Sequence, residues 1–118
     1  MSEFKESIVA KRAYEFGLRV IQMTKFMEKT YANIVLIKQI IRSATSIGAN
    51  IEEALGANSK KEFIHSMNVA KKEARETIYW LKLIADVNPK LKNRLQDLLK
   101  ENQEIIMILT KIVKTSSV

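Results

Sequence analysis

Residues 34–55 read IVLIKQIIRSATSIGANIEEAL, and this stretch decides the fold class. Its apolar residues return every three or four positions, as they do on one face of an α-helix. They are Ile37, Ile40, Ile41, Ala44, Ile47, Gly48, Ile51 and Leu55. β-Branched residues make a strand the competing interpretation for residues 34–41, but a half-buried strand has a period of two. The stretch therefore predicts a long helix, with Asn33 as N-cap and Gly56 near its end.

The preceding segment, residues 4–29, predicts another helix with two apolar strips. The main strip contains Val9, Ala13, Phe16, Val20, Met23 and Met27. A second strip on a different side contains Tyr14, Leu18 and Ile21. A helix with two apolar strips needs more than one neighbour, so this segment indicates contacts beyond a single pairing.

Two further helices follow residue 58. Ser59 and Glu62 form a capping box that opens the third helix, and Asn88-Pro89 predicts an N-cap and first position for the fourth. The third helix carries an apolar stripe of Phe63, Met67, Ala70, Ala74, Ile78, Leu81 and Ile84. The fourth carries Leu91, Leu95, Leu98, Asn102, Ile105, Leu109 and Ile112, and residues 115–118 are expected to fray. We therefore predict one all-α domain over residues 1–118, an antiparallel up-down-up-down four-helix bundle.

The composition narrows the classes of function. The chain has no cysteine and one histidine, which excludes disulfides and thiolate metal sites and leaves little for acid–base chemistry. Bundle metal sites need repeated Glu-x-x-His pairs facing the core, whereas Glu62 and His65 form the single such pair and lie off the apolar stripe. We therefore expect no metal, no cofactor and no enzymatic activity. Because Met1 precedes a charged, amphipathic segment, we expect no signal peptide, no membrane span and a cytoplasmic location.

The charges of the third helix are sorted by face. At 100° per residue, one side holds Lys61, Lys71, Lys72, Arg75 and Lys82, here called the basic face. With a net charge of +7, this face is suited to a phosphate backbone, of RNA or of DNA. The alternative is a solvated lysine face, which the absence of an interleaved aromatic residue would favour.

Acidic residues occupy another side of the same helix. Glu62, Glu73 and Glu76, here called the acidic face, share it with Val69 and Trp80. A tryptophan among carboxylates indicates a packing surface. The second helix offers a polar stripe of Arg42, Ser46, Asn50 and Glu53. That stripe is either exposed to solvent or allows Arg42 to pair with Glu73 or Glu76, within the bundle or across a subunit contact.

Three segments together resemble a known family. They are RSATSIGANIEEA at residues 42–54, SKKEF at residues 59–63, and the pattern Ala70-x-x-Glu73-x-x-Glu76. The chain resembles the bacterial four-helix bundle proteins encoded within intervening sequences of 23S ribosomal RNA genes. It is more distantly similar to the accessory proteins of diversity-generating retroelements. The family commonly has proline where Gly48 stands and glycine where Ala54 stands, differences that affect helix shape more than chemistry.

The resemblance implies a homo-oligomer, typically a pentameric ring, with RNA or nucleoprotein association. It assigns structural or interface roles to Arg42, Ser46, Asn50, Glu53 and Glu76. Self-association is also expected because Met107 and Ile108 lie outside the main stripe of the fourth helix. Our first hypothesis is a non-enzymatic oligomer that binds RNA or another nucleic acid through the basic face. The alternative is a protein–protein adaptor or scaffold for an acidic or nucleic-acid-bound partner, such as a reverse transcriptase.

Overall fold

Four long helices account for most of the chain. The computed structural model describes residues 2–117, with side chains from Glu6 onward. The helices are α1 (Ser2–Thr24), α2 (Tyr31–Leu55), α3 (Lys60–Val87) and α4 (Lys92–Ser116), with a 3₁₀ turn at Pro89–Leu91. No strand occurs within residues 2–117. The prediction of an all-α four-helix bundle is confirmed.

Contacts between named residues give the direction of each helix relative to the next. Asn33, near the start of α2, meets Asn88, which directly follows α3. Asn102 in the middle of α4 donates to the carbonyl oxygen of Ala74 in α3. The first contact sets α2 antiparallel to α3, and because a short turn joins α3 to α4, the contact between their middles makes these two antiparallel as well. The bundle measures 45 × 21 × 18 Å.

The core consists mainly of the apolar stripes that helical spacing predicts. The α2 stripe is wrong at Leu55, which is exposed, and it misses Leu36, which is buried. All six residues of the main α1 strip are buried. The second strip lies at the surface of the chain, where Tyr14 is 73% exposed and Leu18 is 46% exposed. Small residues allow α1 and α2 to approach closely, because a Cβ atom added at Gly48 would lie 3.7 Å from Ala13.

The connection between α1 and α2 differs from the prediction. Helix α1 ends at Thr24, not near residue 29, and Lys29 Nζ donates to the carbonyl oxygens of Thr24 and Met27. The predicted cap of α2 is also wrong, because Thr30 is the N-cap and its hydroxyl accepts from the N–H of Asn33. The apolar period begins only at residue 34, since the first turn of α2 exposes Tyr31 and Ala32 to solvent. Periodicity therefore could not locate this helix start.

Asn33 and Asn88 form a reciprocal amide pair, and neither side chain supplies the predicted N-cap. Asn33 Nδ2 donates to Asn88 Oδ1 at 2.8 Å, and Asn88 Nδ2 donates to Asn33 Oδ1 at 3.0 Å. The prediction that Asn88 caps α4 is wrong, because its side chain is occupied by this pair and by the carbonyl oxygen of Ile84. Pro89 opens the 3₁₀ turn, and α4 begins only at Lys92.

The remaining helix ends are set by local side chains. The Ser59 hydroxyl accepts from the N–H of Glu62 at 3.1 Å, as the capping box predicts. The carboxylate of Glu62 accepts from the N–H of Asn58 at 3.2 Å. At the other terminus α4 continues to Ser116, so the predicted fraying of residues 115–118 is wrong for residues 115 and 116, and Val118 lies outside the described residues.

Helices α1 and α4 are joined by a charged cluster that periodicity did not indicate. Arg12 donates to both carboxylate oxygens of Glu101, at 2.9 and 2.7 Å, and to Glu104 at 2.7 Å. These hydrogen bonds, first to Glu101 and then to Glu104, raise the pKa of Arg12 above its ordinary value. The guanidinium therefore stays charged at any physiological pH and connects the first helix to the last.

Candidate nucleic-acid interface

The acidic face of α3 is turned toward its neighbour α2. Arg42 Nη1 donates to Glu73 Oε1 at 3.3 Å, and Arg42 Nη2 donates to Glu76 Oε2. Both ion pairs join helices of one chain. With Glu62 at the start of α3, all three carboxylates of the acidic face have partners within the bundle.

Trp80 completes this contact. Its Nε1–H donates to Glu76 Oε2 at 2.9 Å, so Glu76 serves both the guanidinium of α2 and the indole of its own helix. The ring itself is half-buried and packs against the core. The tryptophan therefore belongs to a packing surface between α2 and α3.

The polar stripe of α2 bonds mainly along its own helix. The Ser46 hydroxyl donates to the carbonyl oxygen of Arg42 at 2.6 Å, and Asn50 Nδ2 donates to that of Ser46 at 2.8 Å. Ser46 and Asn50 are half-buried, while Glu53 is exposed. Arg42 is thus the member of the polar stripe that these contacts bring together with the acidic face.

The basic face points away from α2. Lys61, Lys72, Arg75 and Lys82 are exposed, and Lys71 is half-buried. Within the described residues, none of the five takes part in an ion pair. Lys82 also lines a groove between α3 and α4 together with Asp86 and Lys92, so one carboxylate lies between these two cations at the edge of the basic face.

Ion pairs inside the bundle neutralise more carboxylates than cations. Arg12 and Arg42 each bind two glutamates. Four of the 13 acidic residues are therefore matched by only two of the 20 lysines and arginines. Exposed ion pairs of this kind stabilise a fold only slightly. Within the described residues they involve none of the five cations of the basic face, which shares its side of α3 with one exposed carboxylate, Asp86.

One aromatic residue of the basic face was missed. Tyr79 lies four residues after Arg75 and three before Lys82, which places it on the same side of α3, and it is 57% exposed. The interpretation that this face has no interleaved aromatic residue is therefore wrong. The same 100° step that sorted the charges was sufficient to find it.

Other kinds of site have little support in the described part of the chain. Residues 6–117 contain no group of three or more His, Asp or Glu side chains placed to hold a metal ion. His65 is exposed beside a shallow groove that also includes Glu62. Among the helices described, none combines the length and the apolar character that crossing a membrane requires.

Fold and surface together define a basic four-helix bundle in which the cations on one face of α3 form no ion pair within the described residues. The chain belongs to the 23S rRNA-intervening sequence protein family, whose sequence pattern matches residues 5–111. It is similar to a crystal structure of a protein of unknown function from the S23 ribosomal protein family of Bacteroides thetaiotaomicron VPI-5482. That similarity has a TM-score of 0.86 and 38% sequence identity, and covers 93% of this chain and 98% of the other. No curated protein matches the chain.

Proposed function

We propose that the protein is a non-enzymatic, cytoplasmic homo-oligomer that binds RNA or another nucleic acid through the basic face of α3. The observation that carries this proposal is the segregation of charge on one helix. The carboxylates of the acidic face are bound by α2 and by the start of α3. The cations of the basic face are mostly exposed and form no ion pair within the described residues. The family description, which refers to 23S rRNA, supports a nucleic-acid partner.

The physical basis for binding is release of counterions from phosphates. Each lysine or arginine that neutralises a phosphate displaces a condensed cation, so affinity falls steeply as salt rises. A helix rises about 1.5 Å per residue, and the basic face runs from Lys61 to Lys82. It therefore extends along roughly 30 Å of surface and can contact several phosphates in a row.

Assembly would multiply this surface. The second strip of α1 borders a groove of about 360 Å³ between α1 and α2, which Tyr14, Leu18 and Ile21 line together with small residues. On α4, Met107 is 68% exposed. Exposed apolar surface of this kind is typical of an interface between subunits, and closed symmetry repeats every patch around the assembly. Several copies of a weak site bind one long polyanion more tightly through avidity.

We expect the wild-type protein to assemble into a closed oligomer, with five subunits favoured by the family resemblance. Multi-angle light scattering at micromolar concentration should give a multiple of the 13.5 kDa chain mass. Tyr14→Glu combined with Leu18→Glu should shift that mass toward the monomer, because it places charges in the apolar groove. Glu15→Ala, at an exposed α1 position outside the groove, is the matched control. A monomer mass for the wild type would contradict assembly.

For nucleic-acid binding, the decisive variant is the double charge reversal Lys72→Glu/Arg75→Glu. We expect at least about tenfold weaker binding of a generic RNA at low salt and a shallower dependence of affinity on salt, since two phosphate contacts are lost. Fluorescence anisotropy of a labelled oligonucleotide across a salt series measures both. Lys11→Glu/Lys111→Glu, at exposed positions on α1 and α4, changes the net charge equally and should have a smaller effect.

If the protein is instead an adaptor, the double charge reversal should leave its affinity for RNA unchanged. If Lys72→Glu/Arg75→Glu binds RNA as tightly as the wild type at every salt concentration, the basic face only keeps the protein soluble. Binding to an acidic or nucleic-acid-bound protein partner would then be the better explanation of the surface.

A further inference from the structure

Tyr79 stands in the middle of the basic face. Arg75 and Lys82 lie within one turn of it on the same side of α3, and Lys72 lies two turns before it. Its side chain is more than half exposed, although a phenol ring gains by burial. A ring in this position can meet whatever partner the surrounding cations attract.

A second aromatic ring holds the ring of Tyr79 in place. It makes an edge-to-face contact with Trp80, with ring centroids 5.0 Å apart and an angle of 73° between the planes. Trp80 is in turn fixed through its indole N–H by Glu76, which Arg42 of α2 binds. This chain of contacts runs from the polar stripe of α2, through the acidic face, to the basic face.

Such an arrangement suits stacking against a nucleic-acid base. Every base has a π-face, and an aromatic side chain beside phosphate-binding cations stacks on bases without reading their sequence. A ring already held in position loses little freedom on binding, which favours affinity. In a duplex the bases are stacked on each other, so the ring could reach them only where a strand is unpaired.

We infer that Tyr79 is a stacking residue and that the basic face therefore prefers single-stranded nucleic acid to duplex. This inference rests on the proposed function and deepens it, because it names the class of nucleic acid bound. Lys72, Arg75 and Lys82 contact the phosphates on either side of the stacked base. Trp80, Glu76 and Arg42 act as positioning residues.

The test compares Tyr79→Ala, Tyr79→Leu and Tyr79→Phe for binding to a short oligo(U) strand and to an RNA duplex of matched charge. Tyr79→Ala should weaken binding of the single strand by about 5- to 150-fold, the range of one lost stacking contact. Duplex affinity should change by less than about twofold, and the salt slope should stay the same, because no cation is removed. Tyr79→Leu keeps apolar area without a π-face and should behave like Tyr79→Ala. Tyr79→Phe keeps the ring and should bind like the wild type.

The outcomes separate this inference from the proposed function. If Tyr79→Ala leaves single-strand affinity unchanged, or weakens single strand and duplex equally, Tyr79 does not stack and the inference is wrong. The proposed function would still stand if Lys72→Glu/Arg75→Glu weakened binding. If that charge reversal also had no effect on binding, the stacking inference and the proposed function would both be wrong. Far-ultraviolet circular dichroism, together with the melting temperature, verifies that each variant is folded; emission of Trp80 is not used for this, because Tyr79 contacts its ring.

Discussion

Asn33→Ala is expected to lower the free energy of unfolding by about 2–4 kcal/mol, the largest loss we expect from one polar substitution in this protein. Asn33 is only 2% exposed, and its amide donates to the carbonyl oxygen of Glu28 and to Asn88 Oδ1 while accepting from Asn88 Nδ2. Truncation removes all three hydrogen bonds at a buried position and leaves the half-buried amide of Asn88 without its Asn33 partner. Urea denaturation at one fixed protein concentration measures the change, since the proposed assembly would make stability depend on concentration.

A double-mutant cycle shows whether the amide pair itself is responsible. If Asn33 and Asn88 act through each other, Asn33→Ala and Asn88→Ala together should cost less than the sum of the two, by about 1–2 kcal/mol. Asn93→Ala removes the same amide from an exposed position in α4 and should change stability by less than about 0.5 kcal/mol. Strict additivity of the two changes would mean that the ends of α2 and α3 are held together by something other than this pair.

Asn102→Leu is expected to have the opposite sign, raising the free energy of unfolding by about 1–2 kcal/mol. Asn102 lies on the apolar stripe of α4 and is completely buried. Its Nδ2 donates to the carbonyl oxygen of Ala74 at 3.1 Å, but its Oδ1 has no hydrogen-bond partner among the residues that the structure describes. Leucine has a similar size and removes this unsatisfied oxygen. Ala74 lies inside α3, where its carbonyl oxygen also faces the main-chain donor one turn later.

Asn102→Ala distinguishes the polar contribution from packing. It also removes the amide but leaves a cavity, so it should lower the melting temperature where Asn102→Leu raises it. A lower melting temperature for Asn102→Leu would indicate that Oδ1 has a hydrogen-bond partner in solution, such as a buried water molecule. The buried amide would then specify how α4 packs and would not be a cost to the fold.

The helices could be predicted because the apolar period and the helix-start signals each lie within a short stretch of sequence. The stripe from Val9 to Met27 and the stripe on α4 are set by a period of three to four residues, and Ser59 with Glu62 marks the start of α3 within one turn. The predictions at Asn33 and Asn88 failed for a physical reason. An asparagine can cap a helix or pair with a distant amide, and local sequence does not show which partner will come within reach.

The candidate site also has one part that local sequence predicts and one part that it does not. Which residues of α3 share a face is a property of the helix alone, so the basic face follows from spacing, and Tyr79 could have been found by the same step. The partners of the acidic face do not follow from spacing, because Arg42 is 31 residues from Glu73 and 34 from Glu76. Arg12 is farther still, 89 residues from Glu101.

For this protein, the amino-acid sequence by itself determined the class of fold, the core stripes and the sorting of charge around α3, since these depend on interactions within a few helical turns. Only the tertiary structure decided which charges are neutralised and which stay free. Packing α2 against α3 pairs Arg42 with the carboxylates and turns the lysines outward. It also anchors Glu76, which binds the indole of Trp80 within α3, because Arg42 reaches this carboxylate only once the chain has brought the two helices together.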